Sequence, residues 1–341
     1  MVNFLRLLDP KVFNSVRIGE RFPETEPYEA GFAEHYNQHL KEKVVLFEEA
    51  RITALKKARR NFFISLPLFF LIPGILIWLS LVISFDEYPI ELVFLGTIFS
   101  WFGLSVFITR SMKLYQQSIK TDIFPNILSF LGTFSYNPKT KKSAKEHQYS
   151  ELIPRFHRET SEDHIQGTYQ GVDVELFESQ LKQRRSSGKK TRYVTVFKGI
   201  FITLTMNKNF SGKTVVKKDG GLLGNWRSKI KTLENVKLED PKFEKMFEVF
   251  SDDQIEARYL LTVTFMERLI ELAGVFGGKT IECCFYQNQL FMKIPLKQNL
   301  FEPGSIFEPE DFIDDSKSLL KELNLIFSIV DILKLNMKIN L

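Results

Sequence analysis

Residues 62–85 read FFISLPLFFLIPGILIWLSLVISF, and residues 92–109 read LVFLGTIFSWFGLSVFIT. Neither run contains a charged residue, and the segment between them holds the acids Asp86 and Glu87. A helix rises about 1.5 Å per residue, so each run is long enough to cross a hydrocarbon layer about 30 Å thick. A buried hairpin of a soluble protein is the alternative, but soluble helices rarely run so far without a polar face. The two runs therefore predict a transmembrane hairpin over residues 62–109.

Basic residues flank this hairpin on the side of both chain ends. The connecting turn, residues 86–89, contains acids and no base. Lysine and arginine close to the ends of a span stay on the cytoplasmic side of the membrane. The flanks therefore predict two spans with both termini cytoplasmic. The flanking bases are Lys56, Lys57, Arg59 and Arg60 before the first run, and Arg110 and Lys113 after the second.

Length and composition limit the remaining possibilities. The 341 residues allow one membrane unit and one domain of ordinary size. The two cysteines, Cys283 and Cys284, are adjacent, so on a strand they point to opposite faces and predict no disulfide framework or zinc site. The formal net charge of +5 is mild, and the bases are not accompanied by a recognition helix or an aromatic RNA-binding motif. The sequence therefore predicts no nucleic-acid partner.

The pattern along the chain predicts an α+β cytoplasmic domain on a two-helix transmembrane hairpin. Residues 168–177 and 193–205 have strand-like patterning, and residues 263–276 carry apolar residues at helical spacing. Strands with interspersed helices indicate the α+β class. The predicted parts are an irregular N-terminal lead (1–32), a cytoplasmic stalk helix (33–61), the transmembrane hairpin (62–109), a cytoplasmic return helix (110–135) and the α+β domain (136–341).

No catalytic motif stands out. Gly212-Lys213-Thr214 and Gly278-Lys279-Thr280 resemble the end of a phosphate loop, but each lacks the first glycine and a following helix, so both are interpreted as turns. The sequence also lacks G-x-S-x-G and H-E-x-x-H. It therefore predicts no catalytic residue, no metal and no cofactor, and favours a protein that is not an enzyme. A membrane-tethered enzyme whose site is built from scattered residues is the alternative.

Basic residues are concentrated in residues 182–192, which contain no acid. A solvated loop is one interpretation. The other is a loop facing the anionic inner leaflet, where each nearby base contributes about 1 kcal/mol. The residues of this hypothetical lipid-binding loop are Lys182, Arg184, Arg185, Lys189, Lys190 and Arg192.

Residues 247–261, FEVFSDDQIEARYLL, form a second distinctive stretch. Its apolar residues predict a strand, a turn at Asp252-Asp253 and a second extended segment, all packed under the helix predicted over residues 263–276. Asp252, Asp253 and Arg258 are then candidates for a ligand anchor or a structural anchor.

This stretch, with FMERL at residues 265–269, GVDVELF at residues 171–177 and FKGIF at residues 197–201, resembles a bacterial family with two inner-membrane spans and a cytoplasmic domain of unknown function. The resemblance covers roughly residues 33–312 and implies a location in the bacterial inner (cytoplasmic) membrane. It implies no catalytic residue.

The combined prediction is a membrane-anchored binding or scaffold protein. Its expected partners are the lipid bilayer, including anionic lipid head groups, and a protein partner or a second copy that associates through the spans or the stalk. An anionic-lipid-sensing module is a further alternative, separate from the binding or scaffold protein.

Overall fold

The computed structural model describes residues 4–15, 21–82, 90–187, 190–219, 232–276 and 281–335. The chain divides into two compact units. Unit 1 comprises Met1–Asn126 with Pro303–Lys317, and unit 2 comprises Ile127–Glu302 with Ser318–Leu341. Helices together with a large antiparallel sheet confirm the α+β class. The predicted domain boundaries stay a prediction.

Two long helices dominate unit 1. Helix α1 covers Phe32–His39, α2 covers Lys41–Val82 and α3 covers Ile90–Asp122, and the short α4 covers Phe124–Leu128. The first part of the chain contains the 3₁₀ turns Phe4–Leu8, Pro10–Phe13 and Pro27–Glu29. The predicted acidic turn, residues 86–89, lies outside the described residues.

Helices α2 and α3 are long and apolar enough to cross a membrane. Their large apolar side chains mostly point away from the protein: Phe70 is 75% exposed and Phe94 is 72% exposed. The helices approach each other closely at Gly96, which has no side chain. A Cβ added there would lie 3.1 Å from the Leu76 Cδ1 atom. The two apolar runs therefore form a helical hairpin with an apolar outer surface.

The hairpin satisfies a carbonyl group that a proline leaves unpaired. Pro73 lies inside α2 and has no N–H, so it cannot donate to the carbonyl of Phe69 four residues earlier. The indole Nε1–H of Trp101 on α3 donates to that Phe69 oxygen at 3.0 Å. An apolar medium offers no water to replace a lost hydrogen bond, so this contact suits a helix pair in lipid.

A buried arginine joins three segments of unit 1. Arg51 on α2 is 0% exposed and forms a two-pronged ion pair with Glu48, with distances of 2.7 Å from Nε and 2.8 Å from Nη2. Its Nη1 group donates to the backbone oxygens of Val12 and Ile306, and its Nη2 group donates to the oxygen of Asn14. The Glu48 carboxylate also accepts from the backbone N–H of Glu310. Arg51 and Glu48 therefore bind both the N-terminal segment and residues 303–317 to α2.

Unit 2 is built on one antiparallel sheet. Among the described residues, nine strands follow the order β1-β2-β3-β4-β9-β8-β5-β7-β6. Their bounds are Phe134–Asn137 (β1), Arg158–Tyr169 (β2), Val172–Ser187 (β3), Lys190–Thr205 (β4), Thr214–Lys218 (β5), Glu234–Val236 (β6), Phe247–Ser251 (β7), Glu282–Tyr286 (β8) and Gln289–Pro295 (β9).

Short helices and one long helix accompany this sheet. They are the 3₁₀ turn Ala144–Ser150, α5 at Pro241–Glu244, α6 at Gln254–Leu260, α7 at Val263–Val275 and α8 at Ile313–Leu333. The later part of α8 lies against the outer strands, because the ring of Phe327 stacks on Tyr169 with the centroids 4.3 Å apart. The helix predicted over residues 263–276 is confirmed.

Local sequence explains two of the sheet's turns. Gln170 and Gly171 both have positive φ between β2 and β3, and Gln287 and Asn288 do so between β8 and β9. Two-residue turns with positive φ at both positions match the twist of antiparallel strands.

A glycine allows two strands to lie close together. Gly199 pairs with Pro295, and a Cβ at Gly199 would lie 2.1 Å from the Ile294 oxygen, so this close strand contact requires glycine.

The prediction for residues 247–261 is correct for the strand and wrong for the second extended segment. Residues 247–251 form β7, but Gln254–Leu260 is helix α6. The side chain of Asp253 accepts hydrogen bonds from the N–H groups of Ile255 and Glu256, so it caps the helix. Ile255 is consequently 82% exposed rather than part of an apolar strand.

Candidate functional site

The basic segment at residues 182–192 is not a loop, because its described residues belong to β3 and β4. Lys182, Arg184 and Arg185 lie on β3, and Lys190 and Arg192 lie on β4. Lys189 lies outside the described residues. The pairing of β2 with β3 ends at Arg158 and Lys182, and that of β4 with β9 begins at Gly199. Beyond these points the two strands continue as a two-stranded ribbon, which we name the basic arm (residues 182–187 and 190–195).

Both faces of the basic arm carry positive charge. Arg184 lies opposite Tyr193, and Arg185 lies directly opposite Arg192. Side chains alternate between faces along a strand, so Lys182 and Arg184 share one face while Arg185 and Arg192 share the other. Like charges directly opposite each other destabilise a strand pair. The arm therefore has an electrostatic cost that a bound anion would offset.

The charges of the basic arm have no acidic partner among the described residues. Arg158, from the neighbouring strand β2, places its guanidinium carbon 3.7 Å from the centre of the Tyr193 ring. The Nε group of Arg185 lies 3.4 Å from the amide oxygen of Gln183, two residues earlier on the same strand. No ion pair within the described chain includes Arg158, Arg184 or Arg192. The arm presents a basic surface with an aromatic ring at its base.

The second predicted group, Asp252, Asp253 and Arg258, forms local structural contacts. Asp253 caps α6, as described above. Asp252 accepts from the backbone N–H of Lys213 at 2.7 Å. Arg258 is exposed and donates through Nη1 to the backbone oxygen of Gln254 at 3.0 Å. These contacts favour the structural anchor over the ligand anchor.

The phosphate-loop-like residues Gly212-Lys213-Thr214 are already engaged by carboxylates. Glu256 accepts from the N–H of Ser211 at 3.0 Å and from that of Gly212 at 2.7 Å. With the bond from Lys213 to Asp252, three successive backbone N–H groups point at acids of the same chain. Such a row of N–H groups is a typical anion site, and here it is occupied by internal carboxylates. The related fragment Gly278-Lys279-Thr280 lies outside the described residues.

Three carboxylates that the sequence did not indicate lie together on β2 and β3. One ligand atom from each of Glu162, Asp163 and Glu178 lies within 4.8 Å of the others, so the group has the composition of a cation site. Glu162 pairs with Glu178 across the strands, and a bulge places Asp163 beside them. Protein donors already contact this group: the backbone N–H of Leu300 donates to Glu178 at 2.6 Å, and Asn299 donates to Glu162 at 2.8 Å.

A groove of about 830 Å³ lies in unit 1 between α2 and α3. It begins beside Asn61 and Phe107, at the end of the apolar runs, and extends away from them along both helices. Lys57 and Arg110 line this end of the groove. Ser111 Oγ donates to the backbone oxygen of Ala54 at 3.0 Å and so helps to hold the two walls together.

Two of three comparisons with known proteins found a match. Residues 195–335 match the family described as "Protein of unknown function (DUF3137)". A search of curated proteins found no match. Among solved structures, the crystal structure of the mycobacterial trehalose monomycolate transport factor A, TtfA, is 12% identical, with a TM-score of 0.30, and the match covers 59% of this chain and 88% of that chain. The family match agrees with the predicted resemblance to a domain of unknown function, and it covers residues 195–335 without the helical hairpin.

Proposed function

We propose that this chain is a membrane-anchored binding protein of the bacterial inner membrane, held by α2 and α3, with both termini cytoplasmic. Its basic arm contacts anionic lipid head groups. The observation that carries the lipid-binding function is the basic arm, in which arginines lie on both faces of a two-stranded ribbon and have no acidic partner in the described chain.

Membrane anchoring is supported by the outer surface of the hairpin. Soluble monomers rarely expose a continuous apolar patch larger than a few hundred Å². Here Phe70, Leu81, Phe94 and Phe102 are each more than two-thirds exposed. The hydrogen bond from Trp101 to the carbonyl freed by Pro73 also fits a medium without water. The bases that flank both runs support the cytoplasmic placement of the termini.

Contact with anionic lipid is supported by charge complementarity. The inner leaflet attracts clustered lysine and arginine, with about 1 kcal/mol for each base near the surface. Binding would also relieve the repulsion between Arg185 and Arg192. A second pair of bases, Lys57 and Arg110, lines the groove at the end of the apolar runs. In membrane proteins, basic pockets between spans on the cytoplasmic side bind anionic head groups.

The basic arm is expected to approach a bilayer only when that bilayer contains anionic lipid. The test uses the full chain in lipid nanodiscs, with an environment-sensitive fluorophore on Ser186→Cys. The two native cysteines are buried, so the label attaches to the arm. We expect a blue shift in discs containing phosphatidylglycerol and none in discs of phosphatidylcholine alone. Salt should reduce the shift, since the screening length falls from about 10 Å at 0.1 M to about 3 Å at 1 M.

Charge-matched variants distinguish lipid binding by the arm from attraction by the overall positive charge of the protein. Changing Arg184, Arg185 and Arg192 to Gln should weaken the association of the arm with lipid by about 3 kcal/mol, roughly a hundredfold. Changing the exposed bases Lys242, Lys245 and Lys297 to Gln removes the same charge elsewhere and should leave the shift unchanged. Emission that is identical in both lipids, or insensitive to salt, would refute lipid binding by the arm.

A further inference from the structure

Three basic residues from distant parts of the sequence line one cavity of unit 2. The cavity has a volume of about 300 Å³. Lys208 comes from the segment after β4, Arg268 from α7, and Lys334 from the residue that follows α8. Residues from three distant parts of the chain therefore border one small space.

Among the residues that the structure describes, no acid lines this cavity. Lys208, Arg268 and Lys334 also form no ion pair with any acid in the described part of the chain. The Lys208 ammonium donates to the backbone oxygen of Tyr259 at 3.0 Å, and its partial burial lowers the pKa of the side chain. Lys208 and Arg268 are partly buried, whereas Lys334 is exposed. The Lys208 ammonium also lies 4.5 Å from the centre of the Tyr259 ring. Three bases around one cavity, with no acid beside them in the described chain, favour an anionic ligand.

The neighbouring groups suit an anion with several oxygens. Thr262 and Thr264 line the cavity at the start of α7, a helix of 13 residues. The hydroxyl oxygen of Thr262 accepts from the N–H of Phe265, which leaves its O–H able to donate. The partial positive charge at a helix N-terminus adds to that of the three cations. Phe265 and Leu333 supply an apolar wall beside these polar groups.

Lys334 takes a backbone conformation that glycine adopts more readily. Its φ is +54°, in the left-handed region, directly after the last residue of α8. The N–H of Leu335 donates to the oxygen of Val330 at 3.2 Å, which is the bond that closes a Schellman helix end. Glycine is the usual residue at this position. A lysine here adds a third basic residue to the cavity lining at the cost of steric strain between its Cβ atom and the backbone.

We propose that this cavity binds the phosphate group of a small molecule that also carries an apolar part. Three cations, two threonine hydroxyls and a helix N-terminus match a tetrahedral group with two negative charges better than a single carboxylate. The volume lies at the lower end of small-molecule sites, so it admits a phosphate with a short apolar substituent. A soluble phosphate ester and the head group of a phospholipid share this chemistry.

Calorimetric titration of the full chain in detergent, in phosphate-free buffer, tests the site. Inorganic phosphate should bind, and the double change Lys208→Gln with Arg268→Gln should weaken its affinity at least tenfold. The matched change of Lys242 and Lys245 to Gln should alter the affinity less than twofold. Dihexanoyl phosphatidic acid serves as the second probe. Binding at least tenfold tighter than inorganic phosphate identifies a lipid source, and comparable affinity identifies a soluble ester.

A third variant keeps the test decisive if the double variant fails to fold. Lys334→Gly removes one cation and suits the positive φ, so it should fold at least as well as the unchanged protein while binding phosphate several-fold more weakly. The basic-arm variant of Arg184, Arg185 and Arg192 should retain the phosphate affinity, which separates this site from lipid contact by the arm. Absence of phosphate binding, or an unchanged affinity in the cavity variants, would overturn the proposal.

Discussion

Replacing Arg51 with methionine is expected to lower the free energy of unfolding of unit 1 by about 3–5 kcal/mol. The guanidinium is fully buried, so its removal leaves the Glu48 carboxylate buried without a countercharge. The backbone oxygens of Val12, Asn14 and Ile306 also lose their donor. Each unsatisfied buried group costs about 1–3 kcal/mol. Arg51→Met thus removes both a charge pair and the contacts that bind two chain segments to α2.

Urea unfolding of the full chain in detergent measures this effect, with a fluorophore on Glu42→Cys reporting on α2. Lys56→Met removes an exposed cation from the same helix and should shift the free energy by less than about 0.5 kcal/mol. The double change Arg51→Met with Glu48→Leu should recover part of the loss, because no charge then remains unpaired, but the three orphaned oxygens should keep it less stable than the parent. A loss below about 1 kcal/mol for Arg51→Met would contradict the role assigned to this residue.

Unit 1 is expected to become less stable as the pH rises from 5 to 8. Burial, together with the nearby carboxyls of Asp315, Asp311 and Glu48, raises the pKa of Glu310 from its ordinary value of 4.5 to about 8. Burial likewise raises the pKa of Asp315 to about 6. The folded chain therefore holds protons that the unfolded chain has lost above pH 4.5. Stability is highest below that pH and is lost as the pH rises toward 8.

Between pH 5 and pH 8 the free energy of unfolding of unit 1 is expected to fall by on the order of 3 kcal/mol, since one pKa unit corresponds to about 1.4 kcal/mol. Glu310→Gln keeps the shape and removes the titration, so it should stabilise unit 1 at pH 8 and flatten the pH dependence. Glu49→Gln, an exposed acid on α2, is the matched control and should do neither. The fluorophore at position 42 again provides the measurement. Destabilisation of unit 1 at pH 8 by Glu310→Gln would contradict this assignment.

Unit 2 should respond to pH in the opposite direction. His147 stacks on Phe291 with the ring centroids 4.3 Å apart, and burial lowers the pKa of its imidazole below 6.5. The unfolded chain then binds a proton before the folded chain does, so the contribution of His147 to stability is lost as the pH falls below 6.5. A reporter placed on unit 1 is therefore needed to observe the effect of Glu310 separately.

Local sequence was sufficient for the features that depend on neighbouring residues. The apolar runs marked α2 and α3, and apolar periodicity marked α7. The error at residues 254–260 was avoidable, because Asp253 followed three residues later by Glu256 is a helix-start signal. Apolar neighbours on both sides of Asp252-Asp253 favoured a strand-turn-strand interpretation instead.

Features that depend on contacts distant in sequence could not be predicted from the sequence. Arg51 bonds to the oxygen of Ile306, 255 positions away, and no periodicity indicates that pairing. The cavity cations Lys208, Arg268 and Lys334 belong to a turn, a helix and a helix end. The basic arm was predicted as a loop because bases at successive positions hide the alternation by which strands are recognised.

Labelling with a membrane-impermeant maleimide tests the placement of the hairpin across the bilayer. Cys283 and Cys284 give little background, because both are fully buried and burial raises the pKa of the Cys284 thiol to about 12. In intact cells, an added cysteine at Glu87 should react, whereas one at the exposed position Lys242 should react only after the membrane is opened. A protected Glu87→Cys, or a Lys242→Cys that reacts in intact cells, would contradict two spans with cytoplasmic termini.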